Sequence, residues 1–146
     1  MTVGRPAMPH WRELTTAFRF PVGRHGTRLL ERARTLATLH RVRGHHPGRE
    51  AVFEANRIAL RRQIAEWIIE HTEARSGTAA LCATVIDDMA AAHVAAERLL
   101  RADPPPSTEE LHAAWYDVGY LATHWADLVE EVVHGQRPVP RPPERA

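Results

Sequence analysis

The 146-residue chain carries 19 basic and 18 acidic residues, a net charge of +1, and 44% hydrophobic residues. That length suits one ordinary domain, and the near-neutral balance gives no reason by itself to invoke nucleic acid. A single cysteine, Cys82, excludes an intrachain disulfide and a cysteine-rich zinc site, while the lack of a signal-like run near Met1 and of roughly 18 uninterrupted apolar residues later leads us to expect a soluble, cytoplasmic protein.

Residues 1–26 mix Pro6, Pro9, Pro21, Gly23 and Gly26 with a few aromatics, which reads as an irregular N-terminal arm with room for one short helix near Trp11 to Phe18. Four longer helices are predicted to follow. The first runs from Thr27, an N-cap residue type, to Gly44 and carries Leu29, Leu30, Ala33, Leu36 and Ala37 on one face. The second begins near Pro47, suited to a first helical turn, and stops by Gly77, with Phe53, Leu60, Ile64 and Trp67 marking its stripe. Thr78 can cap the third, which ends before Pro104 and aligns Cys82, Val85, Ile86, Met89, Ala96 and Leu100. Ser107 and Glu110 have capping-box spacing, and the fourth helix then runs to Gly135. Its residues Leu111, Trp115, Val118, Ala122, Trp125, Val129 and Val132 alternate spacings of four and three, as a core stripe does.

The expected fold is therefore all-α, an antiparallel up-down-up-down four-helix bundle over residues 27–136, because short connections make successive helices antiparallel neighbours. The proline-rich residues 137–146 read as a disordered tail. Charge is divided along the chain. Residues 1–62 hold 13 arginines against 4 acids (+9), residues 63–136 hold 3 against 13 (−10), and the tail adds 3 against 1 (+2). Such halves attract, within one copy or between copies. All basic residues are arginine, and a phosphate-binding patch around Arg41, Arg43 and Arg49 is a further possibility.

Several segments carry a family resemblance. They are Thr38-Leu39-His40, the run Arg61-Arg62-Gln63-Ile64-Ala65-Glu66-Trp67, Val85-Ile86-Asp87-Asp88-Met89, His112-Ala113-Ala114-Trp115, Asp127-Leu128-Val129-Glu130-Glu131-Val132, and Gly135-Gln136-Arg137-Pro138-Val139-Pro140. Together they resemble an actinobacterial member of the DUF4254 family over most of the chain, from about Leu29 to Pro140. Ala65 departs from the aspartate of that pattern, and Gly77 to Cys82 depart from its acidic residue and glycine. The resemblance implies a small helical protein and no defined chemistry.

Chemistry has to come from the residues. The pairs Glu109/His112 and Glu131/His134 have the Glu-x-x-His spacing of di-metal bundles, but both fall on one helix, so no metal site is expected. No cofactor motif occurs, and Asp87 and Asp88 read as a solvated face. His40, Asn56 and His93 are more unusual. At 100° per residue each falls within an apolar stripe, and counting from the connections brings them within one or two turns of each other. They form either an internal hydrogen-bond cluster that fixes helix register or a pocket with His93 and His40 as acid–base groups and Asn56, Tyr116 and Trp115 as ligand contacts. Ile58, Ala65 and Ile69 make a second stripe, and Tyr116 and Tyr120 face away from Val118, so the arm or a second copy should cover them. Three functions follow as expectations: a small enzyme or accessory protein of a bacterial biosynthetic pathway with a small molecule in the bundle core, a non-enzymatic interaction module acting as a homodimer, or nucleic-acid binding through the arginine-rich first half.

Overall fold

The computed structural model describes residues 8–24 and 26–135, all of whose regular structure is helical. The elements are α1 (Trp11–Arg19), α2 (Arg28–Val42), a 3₁₀ turn (Arg43–His45), α3 (Glu50–His71), α4 (Ser76–Leu100) and α5 (Thr108–Gly135). The tail expected beyond residue 136 lies outside the described residues.

Local chemistry sets most of these ends. Thr27 caps α2, its hydroxyl accepting from Leu30 N at 3.3 Å, and Ser107 accepts from Glu110 N at 3.1 Å. Two boundaries differ from expectation. Pro47 lies outside α3, because Gly48 turns the chain at φ 91° and the helix starts only at Glu50. Helix α4 begins at Ser76, ahead of the expected Thr78 cap. The short helix in the arm is real and well started: at α1, His10 N donates to Glu13 Oε1 and Arg12 N donates to His10 Nδ1, both at 3.1 Å.

Helix α4 is the hub. It packs against α2, α3 and α5 and touches α1, while α5 lies along α4 with a smaller contact to α1. Two of its faces are consequently buried, one carrying Ala83, Ala90 and Val94 and the other Cys82, Val85 and Met89. This makes α4 long and apolar enough to cross a membrane by length and composition, yet 61% of its most apolar window is buried inside the fold. A central core helix passes the same test.

Helix α1 closes the core from another side. Leu14 and Phe18, four residues apart and so on one face, have no exposed surface and join the same cluster as Leu29, Leu36 and Ile86. Trp125 of α5 is equally buried and donates its indole N–H to Pro9 O at 2.9 Å, fastening the approach to α1 onto α5. The described part of the arm thus serves the core, while Ile58, Ile69, Tyr116 and Tyr120 stay exposed at 46%, 45%, 66% and 62%.

Candidate functional site

The interface of α2 with α4 holds two polar networks. In the first, His40 near the end of α2 places Nε2 2.7 Å from Oδ1 of Asp87, at mid-α4. Both residues are buried, Asp87 to 1% exposure. The other carboxylate oxygen accepts from Arg57 at 3.0 Å and lies 3.6 Å from Arg61, both on α3, and Arg57 turns its second nitrogen to Glu54 at 3.0 Å. A carboxylate this deep needs such partners, since an unpaired buried charge costs several kcal/mol. Asp88 next door is more exposed; burial and the neighbouring Asp87 charge raise its pKa, opposed by Arg57, Arg61 and His40.

The second network lies toward the α4 C-terminus. Glu97 accepts from Arg41 Nε at 3.2 Å and Nη2 at 3.0 Å, and the same guanidinium donates to Phe18 O. Burial works to raise the Glu97 pKa, but the Arg41 hydrogen bond and charge, with His93 and Arg19, bring it below the usual carboxylate value. His93 stacks at a tilt on Phe18 with ring centroids 5.7 Å apart. Its buried Nε2 sits 3.1 Å from Glu97 Oε1, close enough to pair when the ring is protonated. Burial first, then Arg19 and Arg41, lowers the His93 pKa against the pull of Glu97. Arg98 completes the junction by donating to His40 O at 2.7 Å and Arg41 O at 2.9 Å, carbonyls left over at the end of α2.

The residues singled out in the sequence therefore divide. His40 and His93 are buried as expected, but they join separate networks and do not meet around Asn56. Asn56 is exposed. On α3 it and Arg57 flank the Phe53–Leu60 line at about −60° and +40°, and it is Arg57 that turns inward, to Asp87. Trp115 and Tyr116 are 48% and 66% exposed, because among the described elements the first half of α5 extends along α4 with little else beside it. Asp87, read as solvated, is buried and held by His40, Arg57 and Arg61. The spacing signal was present: Ala83, Ala90 and Val94 lie four, three and seven residues away on its own face.

Chemically, a carboxylate that fixes an imidazole is the arrangement of a positioned acid–base group. Access decides whether that capacity is usable. Phe53 packs edge-on to His40, with ring centroids 5.6 Å apart, and stands between it and an open cleft of about 130 Å³ lined by Leu39, Val42, Arg43, Arg49, Phe53 and Asn56. A second open cleft, about 270 Å³, contains Arg41, Val94, Glu97, Arg98 and Arg101. Both are smaller than the roughly 300–1,000 Å³ of usual small-molecule sites. Among the described residues no group of three or more His, Cys, Asp or Glu side chains is arranged to hold a metal ion.

The most exposed apolar surface is on α5. Trp115, Tyr116 and Tyr120 project from its first half, the two tyrosines stacked at 6.5 Å between centroids. Comparison with known proteins adds no assignment: no family model, no curated protein and no solved structure matches this chain.

Proposed function

We propose that this chain is a helical interaction module that acts as a homodimer, with the aromatic face of α5 at the contact. One observation carries the reading: the first half of a 28-residue helix presents Trp115, Tyr116 and Tyr120 to solvent with α4 as its principal support. The stacked Tyr116 and Tyr120, with half-exposed Trp115 about 100° round the helix from Tyr116, are an expensive surface to leave in water, and tyrosine and tryptophan are the residues that concentrate at the centres of protein interfaces. A second copy is favoured as the partner because the chain is self-complementary, +9 over residues 1–62 and −10 over residues 63–136. The same reading takes α2 to α5 as an up-down-up-down set clasped by α1, supported by the short connections between them.

Sedimentation equilibrium of the full chain tests the proposal. We expect a dimer that becomes monomeric when Trp115, Tyr116 and Tyr120 are all replaced by serine, with helix content unchanged because these side chains lie outside the core. A wild-type chain that stays monomeric into the hundred-micromolar range would sink it.

A second reading has its own support. His40, fixed by Asp87 beneath the Phe53 cleft, would act as acid or base on a small molecule once the Phe53 ring swings aside. Small carboxylates, attracted by Arg43 and Arg49 at the cleft, should then shift the His40 imidazole resonances; shifts confined to surface histidines would count against it.

A further inference from the structure

Two oppositely charged surfaces lie side by side at one end of this molecule. Helix α4 ends at Leu100 and α5 begins at Thr108, so the last turns of one adjoin the first turns of the other. The hydrogen bonds from Arg98 to His40 O and Arg41 O bring the end of α2 to that end as well. The α2 terminus, the 3₁₀ turn, the start of α3 and the end of α4 there expose Arg49, Arg101 and Arg43, the last paired with Glu50 at 3.5 Å, with Asp103 two residues past Arg101, together with Val52 and Leu100 at 57% and 61%. The first half of α5 exposes Glu109, Glu110 and Asp117 around Trp115, Tyr116 and Tyr120, and the whole helix contains no arginine. Arg49, Arg101, Glu109, Glu110 and Asp117 form no ion pair among the described residues. Each surface thus combines apolar groups with unspent charge, and the charges are opposite.

We propose that two copies dock reciprocally, the acidic aromatic half of α5 of each lying on the basic, apolar end of the other. This rests on the homodimer reading above and specifies its contact. Adjacent complementary patches are what a two-fold axis requires, because a rotation that brings the α5 face of one copy onto the basic end of the second brings the reverse contact together at the same time. The contact closes at two copies. Charge at its rim sets register and encounter rate, while the aromatics and Val52 and Leu100 supply the apolar area.

A charge-swap experiment on the full chain tests this. Glu110→Arg with Asp117→Arg gives one double variant, and Arg49→Glu with Arg101→Glu gives the other; helix content by circular dichroism reports that each is folded. In sedimentation each double variant alone should dissociate at least about tenfold more readily than wild type, because both contacts of its homodimer become like-charged. Mixing the two restores opposite charges at both contacts, so a dimer should reappear in the mixture at near wild-type affinity. If a reversal compromises folding, the neutral changes Asp117→Asn and Arg49→Gln serve instead, with wild-type affinity required to fall by about tenfold on raising salt from low to molar concentration. Wild-type dimers indifferent to both reversals, or variants that lose dimerisation and regain none on mixing, would overturn the reciprocal contact while leaving self-association standing. A monomeric wild type would overturn both.

Discussion

Asp87 tests how much of this fold hangs on a single polar residue. It is 1% exposed, and His40, Arg57 and Arg61 all converge on it from two other helices. Asp87→Ala leaves those cations and the imidazole without their counterpart, and urea melts should record a loss of about 3–5 kcal/mol. Replacing the set together, as His40→Leu, Arg57→Met, Arg61→Met and Asp87→Leu, should return most of that loss, since an apolar isostere of a buried network is nearly neutral. His93 behaves differently because Glu97, the group its Nε2 approaches at 3.1 Å, is already held by Arg41. His93→Leu should change stability at pH 7 by less than about 1 kcal/mol, with Asn56 playing no part. Its effect should appear with pH. The folded pKa of His93 is below the ordinary 6.5, so the unfolded chain binds more protons below that value, and stability present in full above pH 6.5 is lost as pH falls toward the folded pKa. Wild type should therefore lose stability between pH 7 and 5 more steeply than His93→Leu; equal slopes would refute this. The sequence made His40 and His93 legible as buried polar groups, but their partners were not. Helical angle says which residues share a face, and Asp87 was misjudged because α4 was assumed to have one buried face when it has two.

The elements were legible where a side chain caps an end, as at Thr27 and Ser107, but not at Pro47 or Thr78, where the helices start elsewhere. They were less so where a stripe had to be judged covered or bare. Leu111, Trp115 and Val118 belong by spacing to the same line as Trp125 and Val132, yet Trp125 is fully buried while Trp115 is 48% exposed. Periodicity along α5 cannot report that its neighbour α1 is only nine residues long and contacts little of it. The opposite case is α1: the sequence allowed a short helix near Trp11 to Phe18 within the arm, as found, but gave no sign that Leu14 and Phe18 would be wholly buried. Two such residues, each stabilising by roughly 1.5–3 kcal/mol on burial, make α1 part of the folding unit. Phe18→Ala should accordingly cost about 3–5 kcal/mol, through lost apolar contact and the cavity left beside His93. Deleting residues 1–22 should lower the melting temperature steeply or prevent folding. A truncated chain as stable as the whole would show that α1 only rests on the surface.

At the scale of the whole molecule, the division of charge was readable from the sequence, but its placement required the topology. The basic first half and acidic second half meet inside one copy at Arg41–Glu97, His40–Asp87 and Arg57–Asp87, where they join α2 and α3 to α4. What those pairs leave over is concentrated on α5, whose six carboxylates, Glu109, Glu110, Asp117, Asp127, Glu130 and Glu131, have no basic residue other than histidine on their own helix. Electrostatics thus contributes first to closing the fold and then, through the remainder, to association. Association must leave a thermodynamic trace even if no partner or substrate is ever identified. When the folded state is a dimer and the unfolded state a monomer, raising the protein concentration tenfold stabilises the dimer by about 1.4 kcal/mol, which for a chain of this size should raise Tm by about 2–4 °C. Tyr120→Arg removes apolar contact from the centre of the α5 face and should flatten that dependence without lowering the limiting Tm reached at high dilution, because Tyr120 is 62% exposed and supports nothing in the core. A wild-type Tm that does not move with concentration, at concentrations where sedimentation finds dimers, would mean that association adds nothing to the fold and that α5 stands on α4 alone.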